Sequence, residues 1–224
     1  MAYRHIKKTV ADLLRGSDMA AGLEALCGLP ARQVVNPLFG LLYSGDQLIR
    51  WRAVVAMGAV VSHLAAQSME SARIIMRRCM WNLNDESGGI GWGTPEAMGE
   101  IMARHDGLAR EYAAILVSYA DSCGNFLEHP GLQWGVLWAL GRLGRVNPRL
   151  VQPAAIFLPP FLSSTNPSLR GVAIWAAIAL QTKALESEIR PWLRDSQSVT
   201  IYADGHLRPY IIGRLAQEAI RQGA

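Results

Sequence analysis

The segment between Asn84 and Glu100 has the highest density of residues that could do chemistry. In its sequence, NDESGGIGWGTPEAMGE, the first ten residues put two acids, four glycines and Trp92 where other parts of the chain have a short turn. Glycines let a backbone approach a ligand closely, and Asp85 and Glu86 would accept hydrogen bonds from it. The segment therefore predicts a binding site, and a wide turn between two helices is the alternative interpretation.

The second half of this segment also predicts the start of a helix. Thr94 suits the N-cap, Pro95 the first turn, and Glu96 the positive end of the helix dipole. Capping explains Thr94 and Pro95 without a ligand, and Glu96 stays a candidate binding residue. Glu100 and Arg104 are spaced as an ion pair on the surface of that helix.

Cysteine and histidine give no sign of catalysis or metal binding. Cys27, Cys79 and Cys123 lie within helical patterns, have no CxxC spacing and have no obvious histidine partner in the sequence. The five histidines are scattered, and no His-Glu pair occurs. We therefore expect no catalytic residue, no cofactor and no metal ligand, and reduced thiols in a cytoplasmic protein.

Charge and hydropathy limit the possible partners only loosely. The net charge of +4 and the pI near 9.2 permit a nucleic-acid partner without indicating one. The most apolar stretches considered, Leu150–Leu162 and Gly171–Leu180, are shorter than the roughly 20 residues that cross a bilayer. The N-terminal residues lack an apolar signal core. We expect a soluble protein without a membrane partner.

The helix predicted after Thr94 belongs to a phrase that the chain repeats. IRWRAVVAMG returns as IGWGTPEAMG and LQWGVLWALG, and more loosely as LRGVAIWAAI and LRPYIIGRLA. These phrases begin at Ile49, Ile90, Leu132, Leu169 and Leu207, so their starts are 41, 42, 37 and 38 residues apart. A period near forty is typical of stacked helix pairs, because one pair cannot bury its apolar face alone.

Each phrase follows another helical pattern across a polar turn, most clearly at Ser68–Leu83, where apolar residues recur every three or four positions. The long turn DSQSVTIYADG precedes the last phrase, and we expect no sheet anywhere. One domain is predicted over residues 1–224, with capping helices in 1–30 and about five repeats in 31–224. The other first helices are predicted at Gln33–Leu42, Leu108–Phe126, Pro153–Leu162 and Leu185–Leu193, and the capping helices at Tyr3–Leu14 and Ala20–Leu26.

The repeated phrase resembles the second helix of HEAT-like, armadillo-type repeats. The pattern is an aliphatic residue followed by Arg, two Ala three positions apart, and Leu or Met before Gly. The phrase from Ile49 fits it fully, that from Leu169 fits well, and that from Leu207 fits only in Leu207-Arg208. Gly91 and Gln133 replace the Arg in the other two. The resemblance implies an all-α fold, a right-handed α-α superhelix of about five helix pairs with a short N-terminal cap, and leaves the activity open.

Helical geometry places the tryptophans of these phrases together. Trp51 points about 160° away from the apolar side of its helix. In HEAT-like arrays the second helices line the concave surface, so the tryptophans predict an aromatic ridge in that groove, and rings that fill the seams between repeats are the alternative. Two columns result, one of Trp51, Trp92 and Trp134 and one of Glu96, Trp138 and Trp175.

We expect a non-catalytic scaffold that binds a protein or peptide carrying both apolar and basic groups in this groove. Asp85, Glu86 and Glu96 would form its negative patch. The other predicted binding residues are Arg50, Trp51, Trp92, Trp134, Trp138, Trp175 and Arg208.

The resemblance to HEAT-like proteins also implies an alternative, a DNA-binding or DNA-glycosylase-type enzyme that uses the same groove. Arginines would meet phosphates while indole rings stack on bases. At the consensus position, however, Arg50 and Arg170 are expected to pair with acids of nearby turns, such as Asp46 and Asp195. A third possibility is a small-molecule or chromophore binder, because HEAT-like repeats occur in bilin-lyase relatives. The arginines considered for phosphate are Arg50, Arg52, Arg170, Arg208 and Arg214.

Overall fold

The computed structural model describes residues 2–84, 91–181 and 183–223. The chain forms two compact units, unit 1 from Met1 to Leu108 and unit 2 from Ala109 to Ala224. About 74% of the described residues are helical, so the predicted all-α class is confirmed.

Helices account for the ordered secondary structure described in unit 1, and the predicted elements agree with them closely. The repeated phrase from Ile49 lies in α4, and the predicted helix Ser68–Leu83 is α5, for which Ser68 is the N-cap. The helices are α1 (Ala2–Arg15), α2 (Met19–Cys27), α3 (Ala31–Leu41), α4 (Gln47–Gln67), α5 (Met69–Leu83) and α6 (Thr94–Arg104).

The core of unit 1 is built around α4. The carboxylate of Asp46 caps this helix by accepting from the backbone N–H groups of Leu48 and Ile49, at 2.9 and 3.2 Å. The helix packs against α2, α3, α5 and α6. By length and composition alone α4 could cross a membrane, a possibility that the sequence analysis missed, but 56% of its most apolar window is buried inside the protein.

Unit 2 begins at Ala109, near the start of α7, and contains short helices as well as long ones. Pro130 and Pro167 occupy the first turns of its two long second helices, α8 and α11, after the caps His129 and Asn166. The helices are α7 (Asp106–Ser118), α8 (Pro130–Gly144), α9 (Pro148–Val151), α10 (Pro159–Leu162), α11 (Pro167–Leu180), α12 (Glu186–Ile189) and α13 (Ile212–Gly223).

The first helices predicted in unit 2 are shorter than expected. The segment Pro153–Leu162 consists of a 3₁₀ turn, Gln152–Phe157, followed by the single turn α10. Likewise, α12 has only four residues and 3₁₀ turns on both sides. Proline lacks the N–H that continues a helix and clashes with the preceding turn, so Pro153, Pro159 and Pro191 break these segments.

The expectation that the chain contains no sheet is wrong at the last repeat. Strands β1 (Ser198–Ala203) and β2 (His206–Ile211) form an antiparallel hairpin. Its turn, Asp204-Gly205, has positive φ at both residues, 50° and 80°. Helix α13 therefore begins only at Ile212, and Leu207-Arg208 lies in a strand instead of a second helix. Alternating apolar residues followed by Asp-Gly are a hairpin signal that the repeat pattern obscured.

Successive second helices are neighbours within each unit, as the repeat pattern predicts. In unit 1, α4 packs directly against α6. In unit 2, α11 packs against both α8 and α13, and β1 also lies on α11. The repeated phrases are therefore brought side by side, and their equivalent positions meet at the helix crossings.

Candidate functional site

The start of α6 differs from the predicted cap. Gly93 is the N-cap, in the left-handed region with φ of 70°, and as a glycine it has no side chain that could cap the helix. Thr94 is instead the first residue of the helix. A β-carbon at Gly93 would stand 3.1 Å from Leu42 Cβ, and one at Gly91 would stand 2.7 Å from the Asn82 carbonyl oxygen. These two glycines therefore allow close packing within unit 1.

The predicted acidic residues Asp85 and Glu86, together with Gly88 and Gly89, lie outside the described residues. Their binding role stays a prediction. The residues on either side of them, Asn84 and Gly91, belong to unit 1.

Two buried polar side chains lie two residues apart, within the first turn of α6. The Thr94 side chain is completely buried, and its Oγ1 has no hydrogen-bond partner among the described residues. Glu96 is 5% exposed. Burial raises the pKa of Glu96 to about 7, against the opposing effects of its own backbone N–H and the charge of Arg50. The Glu96 carboxyl is therefore no part of an exposed negative patch, and it titrates near neutral pH.

Among the predicted binding residues of unit 1 that the structure describes, Arg50 and Trp92 are the accessible ones. Both are half-buried, whereas Trp51 is only 2% exposed. The Arg50 guanidinium lies 5.9 Å from the centre of the Trp51 ring. An exposed aromatic ridge is thus wrong for Trp51. The arrangement leaves a cation and an indole ring beside the buried Thr94 and Glu96.

The Glu100–Arg104 pair is not the surface pair that its spacing predicts. Arg104 Nε donates to Glu100 Oε1 at 2.6 Å, and the Glu100 side chain is 4% exposed. The pair lies against Gly58 of α4, where an added β-carbon would stand 2.5 Å from Glu100 Cγ. This ion pair therefore fills the crossing of α4 and α6.

Two tryptophans of unit 2 fill the seam between its second helices α8 and α11. Trp138 and Trp175 are 2% and 4% exposed, and their rings stack with centres 6.3 Å apart and planes at 12°. Trp138 Nε1 also donates to the Tyr202 carbonyl oxygen in β1 at 2.9 Å. The seam-filling alternative is correct for these two rings, while Trp134 is half-buried. The two rings show that equivalent positions of neighbouring repeats meet.

Two of the arginines considered for phosphate binding make hydrogen bonds within the fold, and a third lies in a strand instead of a second helix. Arg170 pairs with Asp195 at 2.7 Å, as predicted, and also donates to the Ser164 carbonyl oxygen at 2.6 Å. Arg52 donates to two carbonyl oxygens at the end of α1, both at 2.7 Å. Arg208 lies in β2 with its side chain 51% exposed, 3.9 Å from Asp204.

Sequence reasoning missed the most exposed tryptophan. Trp81 on α5 is 71% exposed, and Ile74, two turns earlier, is 54% exposed. Their spacing of seven puts them on one face, which could have been found from the same periodicity that identified the buried stripe. Trp81 provides a comparison for the half-buried Trp92, which lies in the turn before α6.

No family model and no curated protein matches this chain. Among solved structures, an engineered protein is similar over 97% of this chain and 96% of its own, with a TM-score of 0.56 and 17% identity. A designed armadillo repeat protein is similar over 98% of this chain and 100% of its own, with a TM-score of 0.53 and 14% identity. A second designed armadillo repeat protein, in complex with the peptide (KR)4, is similar over 98% of this chain and 99% of its own, with a TM-score of 0.53 and 16% identity.

These similarities establish a class of fold. The chain has a HEAT- or armadillo-like helical repeat fold, as its repeated phrase predicts. At such low identities the likeness shows the fold alone, and folds of this kind host many functions.

Proposed function

We propose that this protein is a non-catalytic scaffold that binds a basic, partly apolar peptide segment of another protein at the start of α6. The observation that carries the proposal is the burial of two polar groups there, the Thr94 hydroxyl, which has no hydrogen-bond partner among the described residues, and the Glu96 carboxyl. Leaving a buried hydroxyl unbonded costs about 1–3 kcal/mol, so such groups call for an explanation. A ligand that donates hydrogen bonds supplies one.

The neighbouring side chains support a peptide as that ligand. Trp92 offers a half-buried indole for apolar contact. Glu96 is buried, so the negative charge that it carries above about pH 7 favours a basic peptide through the field at the site and not through an exposed contact. Arg50 provides a donor for peptide carbonyl oxygens. One solved neighbour with this fold is in complex with (KR)4, which supports a basic peptide as the first probe.

The proposal is tested by fluorescence anisotropy with labelled (KR)4 and a labelled peptide of alternating leucine and arginine. We expect Glu96→Gln and Trp92→Ala each to weaken binding about tenfold. Glu128→Gln and Trp81→Ala change exposed residues of the same types and serve as matched controls. Equal losses in the controls, or binding unaffected in Glu96→Gln and Trp92→Ala, would reject this site.

The same assay separates a protein partner from nucleic acid. Protein that releases counterions from duplex DNA loses affinity steeply as salt rises. We expect the alternating leucine and arginine peptide to retain most of its affinity between about 0.05 and 0.2 M salt, and a labelled duplex to compete poorly. A duplex that binds more tightly than either peptide, with a steep salt slope, would favour the DNA-binding alternative.

A cytoplasmic location is part of the same proposal. The three cysteines are free, with Cys79 buried and Cys123 exposed. An exposed free thiol suits a reducing compartment. Fractionation of the native host with an antibody to this protein tests the location, and recovery in an oxidising compartment would contradict it.

A further inference from the structure

A recess of about 420 Å³ in unit 1 lies well away from the start of α6 along the core helix. It is formed by the turn between α2 and α3, Cys27–Arg32, and by the last turns of α4. The α4 residues that line it begin at Val60, ten residues beyond Arg50, which is about 15 Å along a helix. Its size falls within the range of small-ligand sites, roughly 300–1,000 Å³.

The polar side chains of this recess can donate hydrogen bonds, and none of its lining residues is an acid. They are Arg32, His63 and Gln67. Arg32 is exposed and forms no ion pair among the described residues. His63 Nε2 and Gln67 Nε2 are 2.9 Å apart, so an amide N–H that donates to Nε2 leaves Nδ1–H as the free donor of the ring. This set of groups matches an anion.

The rest of the lining is apolar. Leu29, Pro30, Val60 and Leu64 surround the recess together with the half-buried Cys27. Burial raises the pKa of the Cys27 thiol, against the weaker opposing effect of Arg104, so the thiol is neutral at pH 7. An apolar wall with a few donors is the usual composition of a small-molecule site.

We propose that this recess binds a small organic carboxylate with a short apolar body. Arg32 and His63 hold the carboxylate, and the apolar body covers Leu29, Val60 and Leu64. Guanidinium groups bind carboxylates through two parallel hydrogen bonds, which fixes the orientation of the ligand. The proposal is independent of peptide binding, because it uses no residue from the start of α6.

Cys27 allows the proposal to be tested through its own reactivity. We use the full chain with Cys123→Ser, which removes the exposed thiol, while Cys79 is completely buried. The rate of alkylation of Cys27 by N-ethylmaleimide is measured with octanoate, octylammonium or octanol present. Octanoate is expected to slow the reaction about fivefold or more, with saturation, because it covers the thiol. Octylammonium is expected to have little effect.

Variants show whether the donors are responsible. Arg32→Gln and His63→Ala should each raise the octanoate concentration for half-maximal protection about tenfold. Arg214→Gln changes another exposed arginine and should leave that concentration unchanged. The heat of octanoate binding, measured by calorimetry, gives the same comparison without the thiol.

Three results would overturn the proposal: no protection and no binding heat with octanoate, equal protection by all three probes, or an unchanged octanoate response in both Arg32→Gln and His63→Ala. Peptide binding is scored separately in the same samples with (KR)4. Loss of octanoate binding with retained (KR)4 binding rejects only this site, and the reverse result rejects only the proposed function.

Discussion

The indole ring of Trp175 lies against the backbone at Gly141. A β-carbon added at Gly141 would stand 2.5 Å from Cε3 of that ring, closer than any side chain tolerates. Gly141 is the last residue of its repeated phrase, and Gly58, the equivalent residue of an earlier phrase, meets Glu100 Cγ in the same way. The glycine that ends the phrase therefore marks the crossing of neighbouring second helices.

This close packing predicts that Gly141→Ala destabilises the protein. The new methyl group would displace the buried Trp175 ring, and overpacking of this kind costs about 1–3 kcal/mol. Gly40→Ala is the matched control, because nothing lies within 4 Å of a β-carbon at that position in α3. Since alanine favours a helix over glycine by about 0.5–1 kcal/mol, the control should be neutral or stabilising. Urea denaturation measures both, and equal stabilities would contradict tight packing at Gly141.

The Arg170–Asp195 ion pair is predicted to matter more than any surface pair of unit 2. Its side chains are 4% and 8% exposed, and the guanidinium also lies 4.2 Å from the Trp192 ring. Arg170→Ala leaves Asp195 buried without its partner, which costs about 3–5 kcal/mol. Arg208→Ala removes an exposed arginine and should change the unfolding free energy by less than about 0.5 kcal/mol. Chemical denaturation that gives similar losses for both variants would show that the Arg170 pair is screened by solvent.

Glu96 is predicted to make stability fall as pH rises. Its pKa is about 7 when folded, against 4.5 in the absence of burial, so between these values the folded state binds more protons than the unfolded state. Stability therefore declines across this window, in total by on the order of 3 kcal/mol. Glu96→Gln lacks the decline and should be more stable than the wild type at about pH 8. Urea midpoints across the window test this, and parallel curves would contradict it.

The same titration predicts how peptide binding depends on pH. Ionisation of Glu96 adds a negative charge at the site as pH rises through about 7, while lysine and arginine in the peptide stay charged. Affinity for (KR)4 should therefore increase from about pH 6 to about pH 8 in the wild type and stay nearly flat in Glu96→Gln. An identical pH profile in the two proteins would exclude Glu96 from the site.

The repeated phrase was enough to predict the fold of unit 1 and the neighbouring second helices of unit 2. Periodicity succeeds there because an apolar stripe and a capping residue act locally, as Asp46 and Ser68 show. It fails at Leu207, where a β-hairpin with an Asp-Gly turn replaces the first half of the expected helix. The fifth repeated phrase was aligned by its spacing from the others, and this alignment concealed the local hairpin signal of the Asp-Gly turn.

The candidate site was harder to predict, because burial depends on what packs against a helix. Trp138 and Trp175 stack as their shared column predicts, yet these two rings and Trp51 are buried while Trp92 and Trp134 are not. Helical geometry gives the direction of a side chain and says nothing of the neighbour that covers it. The burial of the Thr94 hydroxyl could not be predicted either, because a threonine before Pro and Glu is the usual sequence of a helix N-cap.

The most direct test of peptide binding at the start of α6 is fluorine NMR of protein that carries 5-fluorotryptophan. The seven indole signals, assigned by single replacements, report on both units at once. On addition of (KR)4 or the alternating leucine and arginine peptide, the Trp92 signal should shift with saturation, and the exposed Trp81 should stay in place. A shift at Trp81 with none at Trp92, or no shift at any of the seven, would contradict the account.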